Sequence, residues 1–255
     1  MERLFSVGFF KMGVFIAVCL IVLLPYSSLV AQSARFFKVQ AGEIPVRVLP
    51  QEAQYRFADF RWGKAIFLNG HTASAKVNYN ILYEEMQFID RKQDTLTIAD
   101  EPTVEKVVVN DTSFYYHPDY GYLEELAGFT NCKLANSQRL QAVRDEDLGS
   151  SSSLDGLYES NRMGRPSQFL QPVNYGVTEQ EFYHQPARQS LTLVLLEDYY
   201  FMDFNRRWHP AQKSTIRKVF RSHQKKVTRF IDEEKINFND AQDLIKLLRY
   251  CSELE

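Results

Sequence analysis

Five histidines, three cysteines and 32 acidic side chains are the groups in this 255-residue chain that could bind a metal, attack a carbonyl or move a proton. Their spacing matches none of the local catalytic signatures. No Gly-x-Ser-x-Gly turn is present, and neither Cys132 nor Cys251 sits in a nucleophile motif. No glycine-rich phosphate loop occurs, so nothing asks for a nucleotide or any other cofactor. His71, His117, His184, His209 and His223 are never four residues apart, which excludes the paired ligands of a zinc-protease helix. Asp198, Asp203 and His209 would make a metal site only if the fold drew them together, because their spacing fits no helix face. Asp145-Glu146-Asp147 opens like a calcium loop and lacks the later ligands. Asn110-Asp111-Thr112 fits the glycan acceptor pattern of a eukaryotic secretory route. A glycosidase pair of carboxylates leaves no local signature, so a secreted glycan-directed hydrolase stands as the alternative reading.

The strongest chemical signal is a block of positive charge. Between Arg206 and Lys235 there are ten Lys or Arg residues and three acids, in a chain whose net charge is only −2. Arg217, Lys218, Arg221, Lys225 and Arg229 fall on one side of a helical pattern and form a candidate contact for an anionic surface. The opposite arc is apolar: Ile216, Val219, Phe220, His223, Val227, Phe230 and Ile231 recur at helical offsets. His223 reads as a half-buried helix residue. Pro210 suits a first turn, whereas Asp232-Glu233-Glu234 put acid where the helix dipole prefers base. A second helix is expected from Asn239, with Gln242 at capping-box spacing and Leu244, Ile245, Leu248 and Cys251 buried.

The elements before this tail read as strands. Lys64 to Leu68 runs into Asn69-Gly70, the strongest short hairpin signal. Ala73, Ala75, Val77, Tyr79 and Ile81 alternate with Ser74, Lys76, Asn78 and Asn80, which predicts an apolar face and a polar one. Met86 and Phe88, Leu96 and Ile98, Val104 to Val109, and Phe114 to Tyr116 continue the pattern around short turns. Strand character returns at Leu191–Leu196 and Tyr199–Phe201, and the tyrosine and phenylalanine stripes read as sheet core. Between them, residues 145–168 hold four consecutive serines with Gly and Pro, the composition of a flexible loop. The expected fold is α+β: an antiparallel meander or sandwich-like domain with a C-terminal two-helix segment packed on it.

The amino terminus carries Arg3 and Lys11, then thirteen residues from Met12 to Leu24 without a charge, then Pro25 and small residues before Ala31. This is the layout of a secretory signal with cleavage after Ala31, and the run is short of the ~20 residues that span a bilayer. The bulky Leu29 leaves an uncleaved anchor as the second option. The organisation expected is a signal over 1–31, a β-rich domain over 32–204 and an amphipathic helical segment over 205–255. Outside the cytoplasm Cys132 and Cys251 could pair as a disulfide.

The Asn69-Gly70 hairpin leading into Val77-Asn78-Tyr79-Asn80, the Glu85-Met86 strand, Phe114 before Tyr122-Leu123-Glu124, and the closing Asp243-Leu244…Tyr250 helix resemble one group of proteins. It is a large, uncharacterised set of secreted or periplasmic proteins from Bacteroidota, and the resemblance covers about 57–135 and 205–254. The resemblance implies an exported α+β protein and brings no catalytic residues with it. Together these readings favour a non-enzymatic binding or structural module of the cell envelope. Its expected partner is another envelope protein, an anionic polysaccharide or lipid headgroups, and nucleic acid is disfavoured by export and by the overall charge.

Overall fold

The computed structural model describes residues 36–144 and 179–254. The signal segment and the serine-rich stretch lie outside the described residues. The strands are β1 (Phe36–Val39), β2 (Arg61–Phe67), β3 (Thr72–Asn80), β4 (Glu85–Ile89), β5 (Thr95–Thr97), β6 (Val104–Val109), β7 (Thr112–His117), β8 (Gly121–Gly128), β9 (Lys133–Arg144), β10 (Leu191–Met202) and β11 (Trp208–Pro210). Short helices α1 (Pro45–Val48), α2 (Gln51–Gln54) and α3 (Glu179–His184) accompany them. The tail holds α4 (Lys213–Val219), α5 (Gln224–Glu233) and α6 (Ala241–Ser252). No helix among the described residues is long and apolar enough to cross a membrane.

All eleven described strands join one antiparallel sheet in the order β1-β10-β9-β8-β7-β6-β2-β3-β4-β5, with β11 also on β10. The meander is local except where β6 returns to the far side of β2 and where β1 pairs with β10. Opposed residues of antiparallel strands share a face, so the register can be followed across the sheet. One row runs Ala73, Ala65, Val107, Phe114, Glu124, Asn136, Tyr199. It begins apolar and ends polar.

That change divides the buried face. On one side Tyr79, Phe114, Tyr122, Leu140, Leu191 and Leu193 form a cluster with Leu49, Ala53 and Phe57 from the α1–α2 region. On the other, Leu134 and Phe201 meet Ile216, Phe220, Val227, Ile231, Leu244, Leu247 and Leu248 from the tail. Between them, Glu124 receives two hydrogen bonds from Arg56, at 2.6 and 2.8 Å. Beside it Glu197 accepts from Gln138 (2.8 Å) and from Tyr199 (3.2 Å). A charged pair this enclosed is tolerated because its lone pairs are met.

Several details depart from the sequence pattern. Asn78 and Asn80, expected on a solvated face, are 0% and 1% exposed. Asn78 exchanges two hydrogen bonds with the backbone of Phe57, and Asn80 accepts from the N–H groups of Leu82 and Tyr83. Their amides replace ladder partners that the strand end lacks, and so earn burial. Conversely Ala73 is exposed, because the apolar face is covered only toward the end of β3. Pro210 lies in β11 opposite Tyr200, so the sheet passes the 204/205 boundary and the first tail helix starts at Lys213.

The expected long basic helix is interrupted. Phe220 has φ −91° and ψ 46°, and a single turn at Arg221–His223 leads into α5. The bend lets Ile216 and Phe220 enter the same cluster as Val227 and Ile231. The last helix is capped by Asp240, whose carboxylate accepts from the Asp243 N–H at 3.0 Å, one residue later than Asn239. Its stripe adds Leu247 to Leu244, Leu248 and Cys251, while Ile245 is only half-buried. Cys132 and Cys251 are both buried in this cluster, and the Cys132 thiol points at the Leu248 carbonyl, 3.9 Å away.

Candidate anion-binding site

Ile216 and Phe220, 0% and 2% exposed, pin α4 and the following turn to the core. Helical geometry then sends Ser214, Arg217 and Lys218 to the outer face, and the turn after Phe220 carries Arg221 beside them. These four residues and Gln224 line one concavity of about 440 Å³. With its amide oriented to match, the Gln224 oxygen accepts from Arg217 Nε (3.3 Å) and Nη2 (2.9 Å). A neutral acceptor thus fixes the Arg217 guanidinium without cancelling its charge.

The three acids of the Arg206–Lys235 stretch are taken up elsewhere. Asp232 pairs with Lys213 (2.5 Å), Glu233 with Arg229 (2.9 Å) and Glu234 with Lys246. These bridges offset the acidic end of α5, which the dipole alone would disfavour. Arg206 reaches Glu105 on β6 at 3.0 Å. Arg217, Lys218, Arg221 and Lys225 are left without a carboxylate partner among the described residues. Like charges four apart on a helix cost about 0.2–0.5 kcal/mol per pair, so this arrangement opposes folding slightly. Of the five basic residues singled out by sequence, Arg217, Lys218 and Arg221 therefore converge. Lys225 is exposed one residue beyond Gln224, and Arg229 belongs to an ion pair. Ser214 and Gln224 were missed. Ser214 shares the i, i+3, i+4, i+7 face and was readable, whereas Gln224 joins only because of the break at Phe220.

Other sequence candidates resolve into structural roles. Asp203 and His209 do meet, at 2.9 Å, but Asp198 pairs with Arg139 instead, at 2.8 Å. No group of three metal-ligating side chains forms among the described residues. Asp203 also accepts from the N–H groups of Asn205 and Arg207, which ties the β10–β11 hairpin. Burial raises the Asp203 carboxyl, yet the Arg207 N–H, the His209 ring and the Asn205 N–H outweigh it and hold it below its ordinary 3.8. The latched hairpin overhangs a second hollow of about 290 Å³ lined by Lys106, Tyr115, Phe129, Lys133 and Phe204. There Lys133 donates to Tyr115 and Glu125, each at 2.7 Å, and Tyr115 donates to Glu125 at 2.8 Å. The two carboxylates buried deepest among the described residues, Glu124 and Asp203, are thus committed to Arg56 and to the hairpin. Comparison with protein-family models, with curated proteins and with solved structures finds no match to this chain.

Proposed function

We propose that this protein is an exported cell-envelope binding module, without catalytic activity, that holds a polyanionic partner on the outer face of α4 and the turn that follows it. The observation that carries the reading is that Arg217, Lys218, Arg221 and Lys225 are among the cations of this segment with no carboxylate partner among the described residues, while every acid of the segment is engaged. A surface under selection for stability alone would pair or dilute such charges, since exposed like-charge neighbours bring no benefit to folding. The export half of the proposal rests on the signal-like first 31 residues, with cleavage after Ala31, and on the resemblance to secreted or periplasmic proteins of Bacteroidota. In that compartment Cys132 and Cys251 would be able to pair. The continuous sheet, with β4 brought against β8, supports a sandwich-like cross-section.

The test is retention of the full chain on an immobilised polyuronate such as alginate, against a variant carrying Arg217→Glu, Arg221→Glu and Lys225→Glu. Retention that falls with salt and vanishes in the variant supports the reading. Equal retention of both proteins ends it.

A further inference from the structure

We infer that the concavity at Ser214, Arg217, Lys218, Arg221 and Gln224 is selective for phosphomonoester groups; this rests on the anion-binding reading above and narrows it. Three positive side chains converge on one hollow of about 440 Å³, so the charge best matched is a compact dianion. A carboxylate carries one charge and is satisfied by a single guanidinium fork. A phosphomonoester carries close to two charges at neutral pH and presents three acceptor oxygens, which need donors from several directions. The site offers them: two guanidinium groups, one ammonium and the Ser214 hydroxyl, with Ser214, Arg217 and Lys218 on one face of α4 and Arg221 on the turn that follows.

Preorganisation sharpens the choice. Arg217 is held by the Gln224 oxygen through Nε and one Nη2 bond, which leaves its remaining N–H groups directed by the same anchor. Arg221 and Lys218 are exposed and have no carboxylate partner among the described residues, so none of those carboxylates must be displaced on binding. The partners that would compete, Asp232 and Glu233, are already bonded to Lys213 and Arg229. Among the described residues the large exposed apolar side chains are Phe36, Val48, Trp62, Leu68, Leu96 and Phe204, and none lies on α4 or α5. Recognition is therefore of the headgroup type, with the phosphoryl group read from outside and no insertion of side chains into an apolar phase.

The probes are glycerol 3-phosphate, sulfate and acetate at matched ionic strength, followed by NMR of the arginine Nε–H groups in the full chain. The expected result is a saturable shift of the Arg217 and Arg221 signals with glycerol 3-phosphate, about tenfold tighter than with acetate, while sulfate, itself a compact dianion, gives a shift that does not weaken in acid. The response should weaken below pH ~6 as the monoester takes up its second proton. It should disappear in Arg221→Gln and in Arg217→Gln, and persist in Lys92→Gln on the β4–β5 turn. Vesicles containing phosphatidate then separate the sources. Binding that glycerol 3-phosphate displaces identifies a lipid headgroup, and binding of glycerol 3-phosphate without vesicle binding identifies a soluble phosphoester. Alginate retention with equal response to glycerol 3-phosphate and acetate would overturn the phosphoryl selectivity and leave the anion-binding reading standing. Loss of alginate retention as well would overturn both.

Discussion

Arg56 and Glu124 show how single residues hold this sheet together at its polar seam. Their two hydrogen bonds join the segment after α2 to the middle of β8, with the Glu124 side chain 9% exposed. Glu124→Ala removes both bonds, while the Arg56 side chain, 36% exposed, can turn to water, so we expect a loss of about 1 kcal/mol in chemical denaturation. A double-mutant cycle with Arg56→Ala should return a coupling of the same order, and additive losses would show that the pair is not the source. At the basin the opposite sign is expected. Arg221→Gln relieves repulsion from Arg217 and Lys225, so stability should stay constant or rise by a few tenths of a kcal/mol while anion binding is lost. Hydropathy could not reveal the burial of Asn78 and Asn80, because their amides replace backbone partners. That requirement exists only once the segment around Phe57 is laid against β3.

Among elements, the hairpins were the legible part. Asn69-Gly70, with Gly70 at φ 82°, joins β2 to β3 as the turn chemistry requires, and the Val77–Tyr79 alternation marks the core face correctly. Pairing of β6 with β2 and of β1 with β10 links residues far apart in the chain, and no local pattern encodes it. One residue registers that pairing sharply. A Cβ on Gly63 would lie 2.4 Å from Val77 Cγ2 and 2.9 Å from the Val108 carbonyl oxygen. Gly63→Ala must therefore spread β2 from its neighbours, and a loss of about 1–3 kcal/mol is expected from thermal or urea unfolding. An unchanged midpoint would mean that the three strands are not packed in this register. The basic helix was legible as charge and as an apolar arc. Its break at Phe220 was not, because the sequence holds no Pro or Gly there and only the shared cluster demands the bend.

The whole molecule should lose stability at both ends of the pH scale, for reasons that can be separated. Burial lifts the hydroxyls of Tyr79, Tyr122 and Tyr200 well above their ordinary 10.0. The unfolded chain releases these protons first, so their contribution is complete below pH 10 and is lost as pH rises through the folded values. Phenolate absorbance should accordingly appear together with unfolding. A smooth rise near pH 10 in a still-folded chain would contradict the buried placement of these rings. Toward acid, burial lowers His117 below its ordinary 6.5, and Asp203 lies below 3.8. Both contributions are present above those unfolded values and are lost as pH falls through the folded ones, first for His117 and then for the Asp203-tied hairpin.

The proposed function is also a property of the whole chain, because the net charge of the basin depends on the acids of α5 being engaged by Lys213, Arg229 and Lys246. The measurement that tests this most directly is the salt dependence of alginate binding for the wild type and for the Arg217→Gln, Lys218→Gln, Arg221→Gln triple variant. Each cation that contacts the polyanion contributes about 0.7 to the slope of log affinity against log salt, the value for a single-stranded polyanion. We predict a slope smaller by about two in the triple variant, with Lys38→Gln on β1 and Lys92→Gln on the β4–β5 turn leaving it unchanged. Equal slopes for wild type and triple variant would place the anion elsewhere and contradict the account.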